Sequence, residues 1–125
     1  MPVTRAAEAP TFTLPGIRFV GLTAPSRGAS EICTWHLHVD PHTPGGNPHW
    51  LDHEEVFILL EGSLQIVIDG EQVTGAPGDA LTVPANARLQ VSNPTDSPAH
   101  ALVCISAGFQ AFADGEPIGT PPWAQ

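Results

Sequence analysis

Proline and glycine interrupt this chain at just over one residue in five, with 14 Pro and 12 Gly among 125 residues. Proline removes a backbone donor and blocks the helical ladder, and glycine costs entropy inside any regular element. Long helices have little room, whereas many short strands joined by turns suit such punctuation. The expected fold class is all-β, a sandwich or barrel. The chain is long enough for one domain, which at this size buries about two-thirds of its unfolded surface. A hydrophobic content of 42% argues against disorder along the whole length.

The order of short segments agrees. Residues 1–10 are small, polar and proline-punctuated and read as a flexible leader, leaving 11–125 as a single domain. Strand candidates follow at Phe12–Leu14 and Ile17–Leu22. Glu31–Asp40 alternates, with Cys33, Trp35, Leu37 and Val39 on one face and Thr34, His36, His38 and Asp40 on the other, the mark of a half-buried strand. Glu55–Leu60 is apolar on both faces beyond the glutamate and predicts a strand covered on both sides. Ser63–Asp69 resumes with Leu64, Ile66 and Ile68 on one face, and Asp69-Gly70 is a strong hairpin dipeptide. Ala80–Val83, Arg88–Ser92 and Ala99–Ala107 complete a set of about ten strands, which describes a β-sandwich or jelly roll. The tail 108–125 carries Phe109, Phe112 and Trp123, which are expected to pack back on the body or across a dimer contact. The two-sided Val56–Leu60 run needs a cover, and a homodimer would supply one.

Charge narrows the partners. There are 13 acids against four bases, all of them arginine, for a net charge of −9. Such a surface repels phosphate backbones and anionic lipids, so neither nucleic acid nor membrane is an expected partner. Cys33 and Cys104, the only cysteines, form neither a disulfide framework nor a zinc knuckle. Both fall in apolar strand patterns and read as reduced core residues, which implies a cytoplasmic protein. The first residues lack the apolar core of a signal peptide, and no apolar run is long enough to span a bilayer.

The densest chemistry lies in His49-Trp50-Leu51-Asp52-His53-Glu54-Glu55-Val56-Phe57-Ile58-Leu59-Leu60-Glu61-Gly62. Imidazoles and carboxylates running into an apolar strand suit a divalent first-row metal such as Zn, Fe, Mn or Ni. The spacing resembles the first signature of the cupin superfamily, G-x5-H-x-H-x3,4-E-x6-G, over about residues 45–62. His49 takes the first histidine, Glu55 the carboxylate and Gly62 the closing glycine, while Leu51 stands where the second histidine is usual. The stretch from Gly78 to Asn93 resembles the second signature, G-x5-P-x-G-x2-H-x3-N. There Gly78, Pro84 and Asn93 are in register, Asn86 replaces a glycine and Leu89 replaces the last histidine. An asparagine at 86 can still adopt the left-handed turn. The resemblance implies a cupin-type jelly-roll β-barrel with a site inside it.

Cupins that keep the whole pattern hold one metal through three histidines and a glutamate. Carried over residue by residue, only His49 and Glu55 remain. In a first reading a divalent metal persists, held by His49, Glu55 and a substitute third ligand. His53 is nearest in sequence, although it falls in the turn before Glu55. His36, His38 and His100 are further candidates, and His42 reads as a surface residue. In a second reading the barrel is a metal-free small-molecule pocket, lined by Leu51, Phe57, Leu59, Leu89 and Val91. His49 and Glu55 are then its polar pair, able to serve as acid and base in a cofactor-free isomerisation. In a third, His49 and Glu55 hydrogen-bond to each other in the core of a binding or structural module. Arg88, beside Leu89, is a candidate at the rim for a carboxylate-bearing ligand, against a plain surface role.

Overall fold

The computed structural model describes residues 2–114 and 116–125. Twelve strands are seen among them: β1 Thr11–Leu14, β2 Ile17–Thr23, β3 Ile32–Val39, β4 His49–Leu51, β5 Glu55–Glu61, β6 Leu64–Ile68, β7 Glu71–Gly75, β8 Ala80–Val83, β9 Leu89–Ser92, β10 Ala99–Ser106, β11 Ala111–Ala113 and β12 Glu116–Gly119. The helical pieces among the described residues are three short 3-10 turns, Ala6–Glu8, Pro25–Arg27 and Pro122–Ala124. Two six-stranded sheets result, ordered β1-β2-β3-β10-β5-β8 and β12-β11-β4-β9-β6-β7. Every pairing is antiparallel. The architecture is a jelly-roll sandwich.

Alternation decides which faces meet. Along β3, Cys33, Trp35, Leu37 and Val39 are buried, and along β10 so are Ala99, Ala101, Val103 and Ile105. Leu51, Leu64, Ile66, Leu89 and Ala111 face them from the second sheet. Each large aliphatic side chain fully buried in this way contributes about 1.5–3 kcal/mol.

Turn chemistry sets the registers. Asp69 and Gly70 both take positive φ, 48° and 83°, the pattern of a type I′ turn, and pair Ile68 with Glu71. Gly62 sits at φ 76°, where a Cβ would run into the Pro98 carbonyl. Asn86 adopts φ 67°, so it does take the left-handed conformation. Asn93 is fully buried and ties its loop together. Its amide donates to the carbonyls of Val39 and Ser97 at 3.3 and 2.7 Å, and its carbonyl accepts from Thr95 N–H at 3.1 Å.

Three expectations need correction. β5 is covered on one side only: Glu55, Phe57 and Leu59 face inward, but Ile58 and Leu60 stay 37% and 47% exposed. Cys104 lies half-buried on the outer face rather than in the core, because Val103 and Ile105 take the inward positions of β10. The tail does more than pack its aromatics, since β11 pairs with β4 and β12 with β11. Beyond it, Trp123 stacks on Phe19 with ring centroids 3.7 Å apart. Arg27 donates to the Trp123 carbonyl at 3.0 Å, and Ser26 N–H to that of Gln125 at 3.1 Å.

Candidate functional site

A cavity of about 600 Å³ lies between the sheets. Aromatic rings make much of its wall: Phe12 and Phe19 from the first hairpin, Trp35 from β3, Phe57 from β5, and Phe109 and Trp123 from the tail. Leu37, Leu51, Leu89 and Val91 fill in between them. Four polar residues reach this wall, namely Thr13, Asn47, His49 and Glu55. The indole N–H of Trp123 is buried and meets no acceptor among the described residues.

Glu55 opens β5 on its inward side, paired in register with Val83 and Ile105. It is 5% exposed, and burial alone raises its carboxyl from 4.5 to about 8. No hydrogen bond or cation from a described residue offsets that burial. At neutral pH Glu55 is therefore protonated, a neutral donor facing the cavity. His49 sits across from it on β4, in the opposite sheet. Burial lowers the His49 imidazole, with the nearby Asn47 backbone partly opposing this. The ring is neutral at pH 7, and a neutral imidazole keeps one bare nitrogen able to accept.

These two residues line one cavity without touching. The histidine–carboxylate pairs among the described residues are His42 with Asp96 and His53 with Asp52. The expectation of a mutual hydrogen bond between His49 and Glu55 is thus corrected. They project from facing sheets, and space for a ligand lies between.

The remaining expected residues separate clearly. Leu51, Phe57, Leu89 and Val91 line the cavity. Leu59 is fully buried but does not line the cavity. His53 stays in the turn between β4 and β5, bonded to Asp52 at 2.7 Å, and does not reach the cavity. His36, His38 and His100 stand together on the outer face of the first sheet, His38 opposite His100 in register. Arg88 also points outward, its guanidinium 5.0 Å over the Trp50 ring rather than at the cavity mouth. Sequence reading passed over Asn47, Thr13 and Phe12, and it left unplaced the aromatic wall from the tail.

The donor set decides whether a metal fits. Leu89 lies directly opposite His49 in the β4–β9 register, and Leu51 follows two residues along the same strand. The imidazole is thus bordered by leucines at the positions where further ligands would converge. No group of three or more His, Cys, Asp or Glu able to hold a metal occurs among the described residues. Catalytic zinc-type sites take three protein ligands, so two donors on facing strands do not fit, and the substitute third ligand expected from sequence is not found.

Comparison with known proteins agrees with the architecture. A family model described as Cupin domain matches residues 35–105. The β-D-galactosidase Rv1717 of Mycobacterium tuberculosis is 26% identical over 109 residues, covering 85% of this chain and 94% of the relative. The polyketide cyclase RemF from Streptomyces resistomycificus superposes with a TM-score of 0.74 at 18% identity, over 94% of this chain and 82% of that one. A sugar phosphate isomerase, SPO2919 of Silicibacter pomeroyi, gives 0.68 at 24% identity, over 80% and 66% of the two chains. Likeness at these identities carries the fold alone. No helix among the described residues is long and apolar enough to cross a membrane.

Proposed function

Because this chain belongs to the cupin-domain family, we propose that it binds a small, largely apolar, ring-bearing molecule between its sheets and handles it without a metal. The observation that carries this reading is Glu55, a buried carboxyl with no partner among the described residues, facing an apolar cavity. A buried polar group left unbonded costs about 1–3 kcal/mol. A ligand oxygen that accepts the Glu55 proton recovers that loss, and the aromatic wall holds the ligand's body.

The same geometry supports acid–base chemistry. With a carbonyl oxygen on the Glu55 O–H, the bare nitrogen of His49 can take a proton from a neighbouring carbon and return it elsewhere. Such an isomerisation gains about 10²–10⁴-fold from general acid–base catalysis. His49 and Glu55 are then the catalytic pair. Sugar hydrolysis, suggested by the galactosidase relative, is less well supported. It ordinarily uses two carboxyl groups across the bond, whereas Glu55 is the one carboxyl among the described lining residues. We read the protein as a cytoplasmic homodimer, in keeping with its free cysteines and the uncovered outer face of β5.

Trp35 and Trp123 in the wall supply the assay. Titration with uncharged aromatic ketones should change tryptophan fluorescence saturably. Val91→Trp, which fills the cavity, should abolish the response, and Glu55→Leu, which removes the donor, should weaken binding at least about tenfold, one charge-free hydrogen bond being worth about 1.4 kcal/mol. Saturable binding unaffected by both substitutions would remove the site from consideration. Proton exchange at the ketone's α-carbon that survives His49→Ala would remove the catalytic role.

A further inference from the structure

His36, His38 and His100 stand apart from the space between the sheets, on the outer face of the first one. Antiparallel register sets Arg18, His38, His100 and Glu61 side by side across β2, β3, β10 and β5. His36 lies two residues before His38 on β3, so it shares their face. The three imidazoles are half-buried. Two of their nitrogens meet: His36 Nδ1 and His100 Nε2 are 2.7 Å apart. The His38 ring stacks on that of His100, with centroids 4.2 Å apart and 13° between the planes.

We propose that His36 and His100 form a two-nitrogen site for a divalent ion that takes its ligands at right angles, Ni(II) or Cu(II). Separation selects the ion. Two nitrogens about 2.0–2.1 Å from one metal lie about 2.9 Å apart at a right angle and about 3.3 Å apart in a tetrahedron. The observed 2.7 Å is close to the first value and well short of the second. Imidazole is a donor that suits both ions, and affinity for such donors rises along the first-row series toward them.

The pair as it stands shares one proton, one ring donating and the other accepting. Moving that proton to the donor ring's other nitrogen leaves two bare nitrogens, and a turn of each ring aims them at one ion. No proton has to leave the pair. No group of three or more His, Cys, Asp or Glu among the described residues converges there, so water fills the remaining positions. The field favours a cation. Glu61 adjoins His100 on the next strand, Arg18 is two strands away from it, and the chain carries −9. This face of β3 is the reverse of the one that bears Trp35 and Leu37 toward the cavity. The site is therefore separate from the metal-free chemistry of His49 and Glu55, and either can fail without the other.

Isothermal titration of the full chain, carrying no affinity tag, with Ni(II), Cu(II) and Zn(II) chlorides at pH 7.5 tests the site. One equivalent each of Ni(II) and Cu(II) should bind, and Zn(II) should bind at least about tenfold more weakly than Ni(II). His36→Gln and His100→Gln should each weaken Ni(II) binding at least about tenfold with an unchanged circular dichroism spectrum. His42→Gln and His53→Gln should bind as wild type does. The electron paramagnetic resonance spectrum of the wild-type Cu(II) form should show coupling to two imidazole nitrogens, a readout that needs no variant. Oxygen donors alone in that spectrum, several weak equivalents in place of one, or binding that survives both His36→Gln and His100→Gln would overturn the site. Tighter binding of Zn(II) than of Ni(II) would overturn the right-angle geometry.

Discussion

Replacing Glu55 with glutamine should stabilise the protein at neutral pH and leave it unchanged in acid. Burial moves this carboxyl from 4.5 to about 8, so between those values the folded chain holds a proton that the unfolded chain has released. Stability then falls as pH rises through that window, the reverse of a carboxylate held by a cation. Below about pH 4.5 the cost vanishes. At pH 7 it reaches about 3 kcal/mol, and above pH 8 it levels off near 5 kcal/mol. Glutamine has the same shape and no proton to retain, so it escapes the whole cost. In a domain this size 1 kcal/mol shifts Tm by about 3–5 °C, and Glu55→Gln should melt about 10 °C above wild type at pH 7. Calorimetry or urea unfolding at pH 4, 5.5, 7 and 8.5 reads the difference directly. Curves that stay parallel across this range would mean that Glu55 ionises freely, and the neutral-donor chemistry proposed for the site would fall with it.

Other substitutions test the frame around the site. Gly62→Ala should cost at least about 3 kcal/mol in urea unfolding, because the new Cβ meets the Pro98 carbonyl and φ is 76°. Asn93→Ala should cost about 2–4 kcal/mol in the same assay, since Val39, Ser97 and Thr95 all lose a partner within a buried loop. Trp123→Ala removes the ring stacked on Phe19 and widens the cavity. It should lower stability by about 3–5 kcal/mol and shift ligand preference toward larger rings, checked by thermal melts with a graded series of aromatics.

What could be read from the sequence followed the length of each pattern. β3 and β10 alternate over eight residues, enough for a period of two to declare which face is inside. The Asp69-Gly70 hairpin, Gly62 and Asn86 were legible because a single backbone conformation demands those residue types. β4 and β11 have three residues each and carry no period at all; they exist because they pair with each other. In the site, His49, Glu55 and the leucines at 51 and 89 stood out by spacing. The aromatic wall did not, since Phe12, Phe109 and Trp123 come together only when both ends of the chain meet across β2. Leu59 shares the inward face of Phe57, yet the cavity ends before reaching it, and no local pattern encodes where a void stops. His36 and His38 face outward because Cys33, Trp35, Leu37 and Val39 claim the interior.

His49 and Glu55 are separated in sequence only by the rest of β4 and the turn 52–54, but they belong to different sheets. A molecule gripped by both is therefore a strut nailed across the sandwich, and whatever pries the sheets apart must first let it go. Its affinity adds to the cohesion of the fold by about 2.7 kcal/mol at a concentration a hundred times its dissociation constant. Occupancy should accordingly be felt well away from the ligand, as slower amide exchange along β3, β10, β6 and β9 together. Cargo and scaffold would then set each other's lifetime.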